Sequence, residues 1–266
     1  PVLPQDANYL IMEATYGDTT HPEPDEAYAM LRDLVRQTIE RGGKVIIPAF
    51  AVGRTQELVY NFNRMISAGE IPAVPVFVDS PMAVNATSVF QEHPELFDKE
   101  TQEFIREGRH PALNFKGLNY VRSVEESKAI NYMDQPAIVI SASGMLQNGR
   151  ILHHLRHNIS DPRNTILIVG WQAPDTLGRN LINGVKEATI YGDRYEVEAQ
   201  VVQISGFSAH AGQDMLMRYA LASKNTLRKV ILVHAEAQVA GTFAQSLKDA
   251  GVPEVEFPDL YQAVEI

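Results

Sequence analysis

The sequence predicts an α/β fold built on a parallel sheet, and three observations predict it. Short apolar strand-like runs alternate with helical stretches of roughly 10–15 residues, the pattern of successive βαβ units. Several runs are apolar almost throughout, among them 44–50 (KVIIPAF), 137–141 (AIVIS), 165–170 (TILIVG) and 229–233 (KVILV). Strands buried on both faces of a parallel sheet read this way. Hydrophobic residues make up 45% of the chain and charged residues 21%, enough to fill a core.

The elements follow in order. Residues 8–14 form a short apolar strand that ends in a turn at Thr15, Tyr16, Gly17 and Asp18. Residues 24–41 are an amphipathic helix, with Ala27, Met30, Leu31, Leu34, Val35 and Ile39 near a 3.6-residue period and Gly42-Gly43 at its end. Strand 44–50, helix 55–66 and strand 74–78 follow. Residues 84–108 read as a polar helix interrupted at Pro94. Next come strand 118–124, helix 125–133, strand 137–141, helix 149–158 and strand 165–170. From Ala188 the pattern changes. Residues 195–204 (YEVEAQVVQI) read as one long strand, 212–223 as a helix, 229–233 as a strand and 238–251 as a helix. Residues 254–257 and 263–266 are short strand candidates. There is no internal repeat, heptad pattern or low-complexity segment.

Composition excludes several classes of function. The chain has 266 residues and no cysteine, which rules out a disulfide scaffold, a thiolate zinc site and a cysteine nucleophile. The cytoplasm is the expected compartment. No run approaches the roughly 20 apolar residues of a membrane-spanning helix, and no signal peptide is visible. Lys and Arg number 23 against 33 Asp and Glu, a net charge of −10. A protein that grips nucleic acid through a broad basic surface has the opposite balance, so any nucleic acid would be held in a local groove or through metal ions.

In open parallel sheets chemistry collects at the C-terminal ends of strands. Glu13, residues 50–54, Asp79-Ser80, residues 141–145, residues 205–210 and residues 234–236 lie there. His210, in a Ser/Gly turn that includes Ser208, suits contact with a phosphate or an oxyanion; the alternative is a helix-capping loop with a surface histidine. His234 directly follows an apolar strand, as a metal ligand or as a buried strand-end histidine. Glu13 suits orienting a histidine or taking a proton, or is a solvated strand-end acid. Ser143 and Gly144 sit in a small-residue strand-to-helix loop that can cradle a phosphate, and Arg54 follows a similar loop. His153 and His157 share a helix face at i, i+4, but without a glutamate between them a solvated or partner-facing helix is the better reading. His21, His93 and His110 are loop residues in polar, proline-rich turns.

Taken together, residues 12–18 (MEATYGD), 47–54 (IPAFAVGR), 78–82 (VDSPM), 141–145 (SASGM), 207–210 (FSAH) and 232–234 (LVH) resemble, in the same order, the β-CASP branch of the metallo-β-lactamase fold. This is the branch of the RNA-processing nucleases, and the likeness is closest to the bacterial and archaeal single-chain type. The resemblance implies a β-CASP parallel-sheet domain at 21–196, inserted in an αββα sandwich of which this chain holds only parts, at 1–20 and 197–266. It implies zinc-dependent hydrolysis of RNA phosphodiester bonds, with Glu13 and His210 as catalytic residues and His234 as a zinc ligand. Arg54, Ser143, Gly144 and Ser208 are the expected RNA or phosphate contacts.

The chain departs from that family in lacking its H-x-H-x-D-H zinc motif, and has Ala235 where a glycine commonly follows the second histidine. Of two Zn²⁺ in a complete site it would supply one ligand, His234. The start at Pro1, almost directly before a strand, leads to the expectation that this is part of a longer enzyme, inactive by itself. The expected partners are single-stranded RNA and the missing N-terminal metallo-β-lactamase half. A non-catalytic RNA-binding or scaffold module with the same fold is the alternative. A nucleotide-binding Rossmann-like domain is disfavoured by the absence of G-x-G-x-x-G.

Overall fold

The computed structural model describes residues 2–108 and 112–266, and His110 lies outside them. In chain order the elements are β1 (Tyr9–Glu13), α1 (Pro24–Glu40), β2 (Val45–Pro48), α2 (Arg54–Ser67), β3 (Val76–Asp79), α3 (Pro81–Glu92) and α4 (Lys99–Gly108). Then come β4 (Leu118–Tyr120), α5 (Val124–Asn131), β5 (Ile138–Ser141), α6 (Arg150–Asn158), β6 (Thr165–Ile168) and α7 (Leu177–Ile182). The chain ends with β7 (Glu187–Ile190), β8 (Asp193–Glu196), β9 (Gln200–Gln203), α8 (Gln213–Leu221), β10 (Lys229–Val233), α9 (Ala237–Asp249) and β11 (Glu254–Glu256). No described helix is long and apolar enough to cross a membrane. The chain divides into two compact units: Pro24–Phe207, and Pro1–Glu23 with Ser208–Ile266.

The central unit holds a six-stranded sheet in the order β4-β3-β5-β2-β6-β9, parallel throughout. Every residue of β2, β5 and β6 is buried, as their apolar sequences require. Alternate residues serve opposite faces. Val45 and Ile47 pack with Leu31, Leu34 and Val35 of α1 and Leu58, Val59 and Phe62 of α2, while Ile46 packs with Ile151, Leu152 and Leu155 of α6. The sheet is thus sandwiched between two helical layers.

The second unit holds a three-stranded parallel sheet, β1-β10-β11. Leu10, Met12 and Ala14 face a core with Leu216 and Ala220 of α8 and Ala240, Phe243 and Leu247 of α9. Gly17 passes so close to α9 that a β-carbon there would lie 2.6 Å from Phe243 Cβ.

Three sequence expectations are corrected. The single strand expected over 195–204 is two. β8 pairs antiparallel with β7, which the sequence did not reveal, through a two-residue turn in which Tyr191 (φ 54°) and Gly192 (φ 88°) are both left-handed. β9 pairs with β6 and so belongs to the central unit. The helix expected from 84 starts at Pro81, because Ser80 caps it through Ala83 N at 3.3 Å and proline suits the first turn; it breaks at Pro94 as expected. Residues 263–266 form no strand; the Glu265 carbonyl accepts instead from Lys229 Nζ at 3.0 Å.

Candidate active site

The site grows out of one strand pairing. β1 and β10 run parallel with Glu13 opposite Val233, and Ala14 N donates to the Val233 carbonyl at 3.1 Å, carrying the ladder one residue further. Alternation sends Met12 and Ala14 into the core and puts Glu13 and Thr15 on the opposite side. A parallel bridge between Tyr16 and Gly212 then draws in the loop that carries His210. His234, immediately after β10, takes a left-handed backbone (φ 53°), a conformation in which histidine is over-represented among non-glycine residues.

Four side chains meet there. Thr15 Oγ1 lies 3.2 Å from His210 Nδ1 and 3.0 Å from His234 Nδ1, and it donates to the His234 carbonyl at 3.0 Å. The two imidazoles stack, with centroids 5.0 Å apart and planes 22° from parallel. Glu13 Oε1 is 3.2 Å from His210 Nδ1 and accepts from Ala211 N at 3.2 Å, while Oε2 accepts from Thr15 N at 2.8 Å. Burial pushes the Glu13 carboxyl up. The hydrogen bonds from Thr15 and Ala211 and the charge of His210 outweigh that and hold it below its ordinary value. Ser208 Oγ accepts from His210 N at 3.2 Å, which shapes the turn.

The donor set suits a metal. Glu13, His210 and His234 offer ligand atoms that all lie within 4.8 Å of one another. Two imidazoles and a carboxylate are donors of the kind zinc takes. His234 is exposed, and the contact of its Nδ1 with Thr15 fixes the ring as an outer-shell partner does for a ligating histidine.

In the central unit, loops collect at the C-terminal ends of β2, β5 and β6. Gly144 is buried against residues 49–50, and a β-carbon on it would lie 3.1 Å from Phe50 N. Its carbonyl accepts from Gln172 Nε2 at 2.9 Å. Ser143 Oγ donates to the Asn148 carbonyl and accepts from Gln147 N, both at 3.3 Å. Arg54 pairs with Glu57 within the first turn of α2.

Residues 55–181 match the family described as Beta-Casp domain, and residues 194–256 match the Zn-dependent metallo-hydrolase RNA specificity domain. The chain belongs to the β-CASP family. Zinc is the metal of the second matched domain. The ribonuclease TTHA0252 of Thermus thermophilus is 37% identical to this β-CASP chain over 238 residues, 90% of the chain and 54% of that protein. The transcription termination factor FttA of Methanocaldococcus jannaschii is 36% identical over 247 residues, covering 90% of the chain and 38% of that protein. An RNase J-like protein of the same organism is 32% identical over 240 residues, with shares of 90% and 54%. The chain therefore spans about half the length, or less, of these curated relatives.

Of the residues singled out from sequence, Glu13, His210, His234 and Ser208 come together in one unit of this β-CASP chain. Ser143 and Gly144 come together in the other, in a loop packed on the one that leads into Arg54. Two members of the first cluster were missed. Thr15 read as part of a turn, and only the strand pairing reveals it between the two histidines. His21 read as a loop residue, yet its Nε2 donates to the His210 carbonyl at 3.1 Å and its ring packs edge-on against Tyr16, with centroids 4.5 Å apart. His153 and His157 are exposed, whereas His154 between them is buried.

Proposed function

We propose that this chain is part of a zinc-dependent ribonuclease that hydrolyses RNA phosphodiester bonds. The convergence of Glu13, His210 and His234 on Thr15 carries this reading. Each member has a task suited to its contacts. Glu13, ionised and within reach of His210 Nδ1, fixes the ring. His210 then presents Nε2 to a phosphate oxygen, to donate a hydrogen bond or to pass a proton to the leaving oxygen. The Ala211 N–H bond to Glu13 and the Ser208 bond to His210 N keep the turn from shifting. His234 is the zinc ligand of this chain, and zinc supplies Lewis acidity toward phosphate oxygens.

One imidazole from this chain does not complete a two-zinc site, so the remaining ligands belong to a metallo-β-lactamase half outside these 266 residues. The outer face of β1 supports such a partner. Ile11 is 67% exposed and Tyr9 41%, an apolar sheet face that a further layer would cover. RNA is taken as a single strand contacted locally at the turn around Ser208, in keeping with the net charge of −10.

The test measures zinc by atomic emission, and cleavage of an end-labelled single-stranded RNA. It compares the chain alone with the full-length product of the reading frame that encodes it. The expected result is zinc and cleavage in the longer form only. No zinc in either form, with RNA still bound, would make the chain a binding module instead.

A further inference from the structure

We infer that Thr15 is a positioning residue that sets the tautomers of His210 and His234 together. The inference rests on the reading of these two histidines as the working pair. Thr15 is 4% exposed and touches every other member of the cluster. Its hydroxyl has one proton and two lone pairs. The His234 carbonyl, 3.0 Å away, can only accept, so the proton goes there. The oxygen then has only lone pairs to offer Nδ1 of His234 at 3.0 Å and Nδ1 of His210 at 3.2 Å. Both imidazoles must therefore carry a proton on Nδ1. Glu13 Oε1, at 3.2 Å from His210 Nδ1, demands the same of that ring.

The consequence is that the lone pair of each neutral ring sits on Nε2. For His234 this makes Nε2 the atom that binds a metal. For His210 it makes Nε2 the atom that exchanges a proton with a phosphate or leaving oxygen. One hydroxyl thus prepares a ligand and an acid–base group at once, and it also ties down the left-handed backbone at His234 by bonding its carbonyl. The β-branched side chain restricts χ1, so the oxygen is held at the meeting point of the two rings.

The experiment uses the full-length protein and its Thr15→Val and Thr15→Ser variants. Valine keeps the shape and removes the hydroxyl, and serine restores it. First, imidazole ¹⁵N spectra of the zinc-free protein are recorded at about pH 8.5, two units above the ordinary histidine value. Wild type and Thr15→Ser should show His210 and His234 protonated at Nδ1, and Thr15→Val should lose that preference. Second, zinc affinity should fall roughly 10–100-fold in Thr15→Val and recover in Thr15→Ser. Third, kcat for RNA cleavage should follow the same order with KM little changed.

A wild-type spectrum with His234 protonated at Nε2 overturns the inference without any variant. So does a Thr15→Val protein that keeps both tautomers and its zinc affinity. The spectra do not depend on turnover. If wild type cleaves no RNA, the functional reading fails while the tautomers still decide this one.

Discussion

His154 and Asp79 are both fully buried and face each other across 2.7 Å, Nε2 to Oδ2, beneath the C-terminal end of the central sheet. They anchor a closed network. Ser127 Oγ donates to the same carboxylate oxygen, Arg150 Nη1 donates to Oδ1 at 2.6 Å, and Asn131 Oδ1 lies 2.7 Å from His154 Nδ1. Arg150 also donates to the Arg122 carbonyl at 2.8 Å. The network ties β3, α5 and the start of α6 together below the Ser143 loop.

Asp79→Asn should therefore destabilise the central unit by about 3 kcal/mol, since it leaves Arg150 without its counter-charge and disturbs the hydrogen bond to buried His154. Urea unfolding measures it. Burial pushes the Asp79 carboxyl up, but hydrogen bonds from His154, Ser127 and Arg150 outweigh this and hold it below its ordinary 3.8. A depressed carboxyl contributes stability that is present above its unfolded value and lost as pH falls through the folded one. Wild type should thus weaken as pH drops below about 4, and Asp79→Asn should show less of that loss.

Glu13→Gln should lower cleavage roughly 10–100-fold while leaving the fold intact. Both carboxylate oxygens accept from N–H groups, Oε1 from Ala211 and Oε2 from Thr15. An amide in that place must point its NH₂ at one of these donors. Because the Glu13 carboxyl titrates below its ordinary 4.5, wild type should keep its advantage down to that pH and lose it only in stronger acid. Single-turnover rates across pH for both proteins check this.

His210→Ala should abolish cleavage with zinc largely retained, whereas His234→Ala should lower zinc as well. Metal analysis beside a cleavage assay separates the two roles. Wild-type cleavage by both variants would remove these residues from the site.

His21→Phe should slow cleavage by roughly tenfold, and His21→Gln should recover most of it. Phenylalanine keeps a ring against Tyr16 but cannot donate to the His210 carbonyl, whereas the glutamine amide can. Amide hydrogen exchange at 208–213 should rise in the first variant and not in the second.

Gly149→Ala should cost about 2 kcal/mol, and Gly53→Ala about 1. Both glycines have positive φ, 87° and 82°. A β-carbon at Gly149 would also lie 2.4 Å from the Ala142 carbonyl oxygen, while at Gly53 it meets open space. Paired thermal melts measure the difference, and equal losses would show that backbone conformation alone decides.

Much of the fold was legible because local chemistry repeats along it. The apolar runs of β2, β5 and β6 had to be buried on both faces, and that demand is written in consecutive residues. The periodicity of α1 and the Pro94 break were equally local. The β7–β8 hairpin was less so, since a tyrosine in its left-handed turn is an uncommon signal. The site was legible in its parts: acids and histidines at strand ends stood out as Glu13, His210 and His234. Which residues could do chemistry, and which elements would carry them, followed from neighbouring residues alone. Which of them meet depends on strand register and packing across the whole chain. Thr15 bonds with partners 195 and 219 positions away, brought there by the β1–β10 register. The adjacent His153 and His154 face solvent and core respectively because packing of α6 on the sheet selects one side of the helix. Pairing and burial are long-range balances of surface removed from water, and no window of neighbouring residues contains them.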